Sequence, residues 1–414
     1  MDSPDPTRHE GPQGSIAIVG AGPSGLLLAI ALARRGVRTT VFERDLHPAV
    51  APRFDPDRSY TIDISGHGLK AIRHVDAGPW FDETMIPFKG LKVPGRGTEE
   101  WPLPGWTGSR GDILRALMAL LEQRHGQRVT LAFRSRVTAA DVHSGTLICQ
   151  SLSGGETTPR FDLIVGGDGA GSVVRDAMQE QVPGFTVETR SFPNYCTMIE
   201  LDRVGDRLDR HYLHGLSTSP FCVAGAIQGD GGPESSRWFC AVGTRRRVTY
   251  ASTDEARSFF RRRVPRILEL TSDEQVAAFA HRTCYHIGQS LTCSQLTSGK
   301  AVLIGDAAAP FPPIGQGVNA AMESAMALDL CVGETGASPE GLLDAARLYD
   351  ARWKPEADAV SWIGERSLFE NRYHAIRALL ASMLGISIFD RAKSVDLPYS
   401  EVKRRAEGLW PLWA

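Results

Sequence analysis

The chain has 414 residues, is 42% hydrophobic and 23% charged, and carries a formal net charge of −2. That leaves room for two or three units around large cores and gives no electrostatic case for nucleic acid as a partner. Seven cysteines without a CxxC pair suit reduced thiols and a cytoplasmic protein, and His211 and His214 have no further ligand at metal spacing, so no metal is expected.

Residues 1–14 are polar and lack the apolar centre of a signal peptide, which predicts a disordered arm. Residues 15–20, SIAIVG, read as a short strand running into Gly20-Ala-Gly22-Pro-Ser24-Gly25. Residues 26–35 have helical spacing with Gly36 as a stop, and residues 38–43 form a second strand ending in Glu43, followed by Arg44. Strand, GxGxxG, helix, strand and terminal acid make the βαβ unit of a dinucleotide site. Gly20 serves the tight turn, Gly22 the approach of backbone to a pyrophosphate, Gly25 the packing of helix on sheet, and Glu43 a ribose diol. A glycine turn of purely structural purpose leaves Glu43 unexplained. Beyond it the chain turns loop-like, with Pro48, Pro52 and Pro56 and no second GxGxxG, which favours FAD over NAD as the tightly held nucleotide.

A second strand-to-helix turn lies at residues 161–175, where Asp168-Gly ends the strand and Ser172 and Arg175 open the helix. Such a turn stabilises backbone by itself and can also touch phosphates. Residues 186–245 alternate strand-like runs with turns, and 229–233 signal a hairpin loop. Tyr195, Met198, Tyr212, Phe221, Trp238 and Phe239 in these runs are candidates to line an aromatic pocket, each also readable as core. Residues 254–264 are helical and end in an arginine run that reads as a solvated face. Residues 300–304 form a buried strand that stops at Gly305-Asp306. Pro313, Ile314, Gly315 and Gly317 follow, before an Ala- and Met-rich helix from Val318 to Cys331 whose start offers unpaired N–H groups. Residues 339–407 read as C-terminal helices over the cavity. The apolar run from Ala378 to Phe389 is too short to span a bilayer and reads as a buried helix, or as a surface patch for a membrane or a partner.

The GxGxxG near the start, the DGxxSxxR at Asp168 and the GDAA…P…GQGxN at Gly305 together resemble the three fingerprints of the single-component, group A flavoprotein aromatic hydroxylases. That resemblance implies an α/β fold: a glutathione-reductase-like (Rossmann) FAD-binding domain, a mixed β-sheet substrate domain and C-terminal helices. The FAD-binding domain would comprise residues 15–75, 105–180 and 281–335, the substrate domain 76–104 and 181–280, and the C-terminal helices 336–414. It implies non-covalent FAD, NADPH or NADH as co-substrate, O2, and an electron-rich aromatic or indole-like substrate. The substrate would be hydroxylated or epoxidised through a flavin C4a-hydroperoxide by a monomer or homodimer. By the same resemblance Asp306 contacts the ribityl chain, Gly315 to Asn319, including Val318, faces the flavin pyrimidine edge, and Asp168 borders the pyridine-nucleotide groove. Arg110, opening a helix after Gly-Ser, occupies the place of the FAD-phosphate arginine.

Residues 58–72 (RSYTIDISGHGLKAI), Cys284-Tyr-His-Ile and residues 349–360 resemble the kynurenine 3-monooxygenase branch of that family. This places Arg58 near the flavin and its transfer face, and makes His286 and Tyr285 the nearest candidates for a catalytic base. Three departures stand out. Leu91 falls where the branch has the arginine for the substrate carboxylate, with Lys89 and Lys92 as possible substitutes. Ala309 replaces a histidine, in a loop one residue shorter before Gly315. Ser367 replaces an asparagine. They point to a changed substrate in specialised metabolism, against kynurenine hydroxylation itself or a same-fold oxidase or reductase. A halogenase is disfavoured because its Trp-x-Trp-x-Ile-Pro segment is missing, and a non-catalytic flavin protein is least expected. The membrane-anchoring tail of the mitochondrial forms is not expected.

Overall fold

The computed structural model describes residues 13–57, 60–93, 97–232, 234–367 and 397–407. Arg58, Phe369 and the apolar run from Ala378 to Phe389 lie outside the described residues. A six-stranded core sheet has the order Thr297–Ser298, Ala301–Leu303, Leu163–Gly166, Ile16–Val19, Thr39–Phe42, Val129–Ala132, all parallel except the first pair. Its central strands are apolar on both faces because helices cover both, as parallel sheets require.

Register gives this sheet its purpose. Val19 lies opposite Gly166 and Phe42, and Gly166 lies opposite Leu303. Three strands far apart in sequence therefore end side by side, delivering Gly20, Asp168 and Asp306 to one edge, where open α/β sheets bind ligands. The helix Pro23–Arg34 is buried on ten of its 12 residues, so it is apolar all round and sits inside the layer, against Arg110–His125 and Gly317–Thr335. Arg35 and His74 both bind the buried Asp329 carboxylate, at 2.7 Å each, fastening the ends of two helices to the body of Gly317–Thr335.

Above that edge stands an eight-stranded mixed sheet in the order Tyr285–His286, Tyr195–Glu200, Ser236–Thr244, Phe221–Gln228, Tyr212–Thr218, Ile86–Val93, Gly97–Gly108, Ile62–Ile64. The strand Ile62–Ile64, expected inside the cofactor unit, belongs to this upper sheet through its pairing with Gly97–Gly108. Residues 135–157 form a separate three-stranded sheet. One face of the upper sheet is closed by the helices Thr253–Arg263, Pro265–Leu270 and Asp273–His281, which bury Phe260, Ile267 and Phe279 against Ile199, Trp238 and Cys240. The other face, carrying Met198, Ile227 and Phe239 with Phe54, turns toward the core-sheet edge and leaves a cleft between. No described helix is long and apolar enough to cross a membrane.

Candidate cofactor site and substrate face

The three glycines of the first turn do three different jobs. Gly20 has φ +99°, and a Cβ there would stand 2.6 Å from the Gly167 carbonyl oxygen. A Cβ on Gly25 would lie 2.0 Å from the Gly20 carbonyl oxygen, so only glycine lets the helix press against the turn. At Gly22 the surroundings are open: the nearest atoms to a Cβ are Arg110 Nη2 at 3.8 Å and the Gly167 oxygen at 3.9 Å. Gly22 is also the N-cap of Pro23–Arg34 and has no side chain to accept the first-turn N–H groups, so they face an open space overlooked by a guanidinium. Glu43 accepts hydrogen bonds from Ala21 N–H at 2.7 Å and Asp45 N–H at 2.8 Å, which fixes its carboxylate beside the loop. Arg44 is exposed next to it.

Arg110 is aimed by its helix start. Ser109 and Asp112 form a capping box, and Arg53 binds the buried Asp112 carboxylate, the Thr84 carbonyl and Gln228 of the upper sheet. Next to this clamp Phe54 packs with Met198, Ile227 and Phe239, a placement that no sequence motif marks. At the second turn Asp168 accepts from Val173 N–H at 2.7 Å and so caps the following helix. Arg175, 5% exposed, donates to the carbonyls of Ala170 and Ala307 and locks the second turn to the third.

The third turn carries Asp306. Gly305 has φ +56° and is wedged against Ser24 Oγ and Ala321, with its N–H bonded to Ser324 Oγ. Asp306 opens into the cleft, where surrounding protein pushes its carboxyl up to about 6 and Arg110 pulls it back down. Ala309, Phe311 and Trp353 line a small void behind this turn. Gly315 (φ +77°) is exposed, and Asn319 is buried, donating to the carbonyls of Gly315 and Asp63 and accepting from Ser65 N–H. The helix Gly317–Thr335 begins there, and a Cβ on Gly317 would meet no atom within 4 Å. Val318 is half-buried against the main core and Pro313 is half-buried in the loop before it. Two open helix starts, a guanidinium beside the first and a carboxylate in the cleft suit a diphosphate joined to a polyhydroxylated chain and an electron-poor ring.

A sequence profile of the family described as FAD binding domain matches residues 13–360. The chain belongs to that family. Kynurenine 3-monooxygenase of Salinispora tropica is 28% identical over 421 residues, spanning 95% of this chain and 90% of its own. That of Xanthomonas axonopodis pv. citri is 30% identical over 365 residues, spanning 82% and 76%. The solved tetrameric 2-methyl-3-hydroxypyridine-5-carboxylic acid oxygenase superposes with a TM-score of 0.66 at 19% identity, over 95% of this chain and 97% of its own. PqsL of P. aeruginosa, in complex with 2-aminobenzoylacetate, gives 0.60 at 19%, over 85% and 95%. Those two likenesses carry the fold alone. The flavoprotein is an FAD-dependent monooxygenase, akin to the single-component aromatic hydroxylases and their kynurenine branch, with a pyridine nucleotide and O2 as co-substrates.

Several substrate-side expectations need correction. Met198 does face the cleft, with Phe54, Ile227 and Phe239. Trp238 is the neighbour of Phe239 on the same strand, so its ring points to the opposite face and packs under the helices. Tyr212 shares the face of His214, whose ring lies 5.8 Å from Trp238, and its hydroxyl donates to Glu100 at 2.7 Å. Tyr195 alternates with the helix-side Ile199 and rests against His286 at 5.1 Å. Phe221 is 52% exposed at a strand end. Ile314 packs with Val360, Tyr399 and Val402 of the C-terminal helices, away from the cleft. His286 sits on the outer edge strand with Nε2 2.8 Å from the Phe192 carbonyl oxygen, a position without access to a substrate proton. Register sets Tyr285 opposite Cys196, on the Met198 face. Alternation along 236–244 separates Phe239, packed with Met198, from Trp238, packed under the helices. Among the described residues no three His, Cys, Asp or Glu side chains group as metal ligands.

Proposed function

We propose that this monooxygenase inserts one oxygen atom into an electron-rich aromatic or indole-like small molecule that is not recognised through a carboxylate at the Leu91 position, in specialised metabolism. The observation that carries this reading is the occupant of that position. Leu91 pairs with Leu213, and Leu213 lies over Gly225 beside Thr61, on the cleft side of the sheet. Lys92 is the alternating neighbour on the far side, where its Nζ binds Asp209 at 3.0 Å and covers the Tyr212 ring at 4.0 Å. Lys89 is exposed. An apolar wall therefore stands where a cation would be needed, and neither lysine offers the bidentate fork of an arginine.

The residues present fit FAD. The Gly22 turn and Arg110 would hold its diphosphate, Glu43 its ribose, Asp306 its sugar-alcohol chain, and the Gly315–Asn319 helix start its ring. When bound, FAD supplies the hydride acceptor and the O2 activation for which no side chain here is suited. The chain's own part is to aim and to dry. Phe54, Met198, Ile227 and Phe239 present an apolar face that excludes water and orients a planar substrate. Tyr285 offers a hydroxyl on that side.

NADPH oxidation by the purified holoenzyme, with L-kynurenine, tryptophan and simple phenols and with products read by mass, tests the proposal. Stimulation by a carboxylate-free aromatic, with a product one oxygen atom heavier, is expected. The relatives' names favour kynurenine itself as the second reading, and kynurenine-stimulated hydroxylation would overturn the changed pocket.

A further inference from the structure

Asp63 is a buried carboxylate that none of the motifs accounts for. It is 5% exposed, in the middle of the strand Ile62–Ile64, where the upper sheet meets the third turn. Its Oδ2 accepts from Ser65 Oγ at 2.8 Å. Its Oδ1 lies 3.3 Å from where a Cβ on Gly315 would be, so the carboxylate rests directly on the positive-φ turn. Its carbonyl oxygen accepts from Asn319 Nδ2 at 3.1 Å, and the same amide group donates to the Gly315 carbonyl at 3.0 Å. Burial first, and then the neighbouring Asp306, Cys196 and Asp63, raise the Tyr60 phenol. Asp63 and Asp306 thus both lie near Tyr60, and Asp63 is the one that rests on Gly315.

A negative charge held out of water acts strongly over short distances. Hydride transfer from a pyridine nucleotide, NADPH + FAD → NADP⁺ + FADH⁻, adds one negative charge to the bound cofactor. The start of the Gly317–Thr335 helix favours that charge, and the Asp63 carboxylate, resting on Gly315 two residues before it, opposes it. Resting on the reading of Gly315–Asn319 as the flavin cradle, we propose that Asp63 is a positioning residue that holds this turn and sets the flavin reduction potential below the value the helix start alone would give.

The test is the midpoint potential of the holoenzyme, measured by equilibration with a reference dye, for wild type, Asp63→Asn, Asp63→Glu and Ser65→Ala. Asp63→Asn keeps the shape and an acceptor for Ser65 but removes the charge, so its midpoint moves positive. Asp63→Glu keeps the charge and stays on the negative side of Asp63→Asn. Ser65→Ala loosens the same turn without removing the charge, so its midpoint does not move positive. An Asp63→Asn midpoint equal to wild type, or an equal positive shift in Ser65→Ala, overturns the proposal, as does an Asp63→Asn protein that folds but loses FAD. Should Asp63→Asn fail to fold, a positive shift in Ser65→Ala or Asp63→Glu overturns it by itself. Wild-type protein that retains no FAD overturns the cradle reading itself, a distinguishable result.

Discussion

Two glycines three residues apart, Gly22 and Gly25, test the cofactor turn in opposite ways because their surroundings differ. Gly22→Ala adds a methyl where the nearest protein atoms are 3.8 Å away or more. The cofactor-free protein should keep its wild-type Tm while FAD affinity falls by about tenfold or more, the equivalent of about 1.4 kcal/mol. Gly25→Ala puts a methyl 2.0 Å from a backbone oxygen. It should destabilise the cofactor-free protein by about 1–3 kcal/mol or more, seen as a lower denaturant midpoint before any FAD is added. Asp306 gives a pH signature. In the cofactor-free fold its carboxyl titrates near 6, above an unfolded value of about 3.9. The fold therefore holds this proton more tightly than the unfolded chain does. The stability it contributes is present below about pH 4 and is lost as pH rises through about 6. Asp306→Asn should raise the cofactor-free Tm at about pH 8, with the gain shrinking toward about pH 4, while weakening FAD binding. A Tm difference independent of pH would show that the carboxyl titrates elsewhere.

The element that matters most to the cradle without touching its open side is the helix Tyr399–Glu407. Tyr399 is fully buried, its ring stacks on His67 with centroids 4.0 Å apart, and its hydroxyl donates to Gln316, the residue capping Gly317–Thr335. His67 Nδ1 in turn lies 2.6 Å from Glu323 of that helix. The helix Tyr399–Glu407 is thus a wedge behind the start of Gly317–Thr335. Tyr399→Ala should cost about 3–5 kcal/mol by the cavity it leaves. It should also speed FAD loss, measured as the rate of flavin fluorescence recovery on dilution. Tyr399→Phe keeps the packing and should stay near wild type in stability. The arginine run ending Thr253–Arg263 behaves as expected of a helix C-terminus, where cations meet the partial negative charge of the last carbonyls.

At the scale of the whole molecule, the proposed function lies in the space between two sheets. On that reading one covers the cofactor edge, and its apolar side sets what enters. Leu91→Arg places a guanidinium on that side beside Leu213. If the wall selects the substrate, the variant should gain kynurenine-stimulated NADPH oxidation by about tenfold or more over wild type, since a charged hydrogen bond is worth about 1.5–3 kcal/mol. The same change should weaken binding of the carboxylate-free substrate. Steady-state rates with both compounds decide it.

The three turns were legible in the sequence because each is local: a strand, a glycine or acid at its end, and a helix start are written within about ten residues, with spacing set by backbone geometry. The strands and hairpin of residues 195–244 were legible for the same reason. Their faces were not. Trp238 and Phe239 differ by one position and point to opposite sides of a sheet. Which side meets the cleft depends on helices 253–281 and on the loop that brings Phe54 over it. Asp63 and Arg53 were invisible because their partners, Gly315, Asn319, Asp112 and Gln228, lie 59 to 256 residues away in the hydrogen-bonded pairs. The sequence by itself determined that a dinucleotide would be held and where the backbone would turn to hold it. Only the tertiary structure decided which side chains look at the bound molecules, because facing is a property of packed layers and not of any one segment.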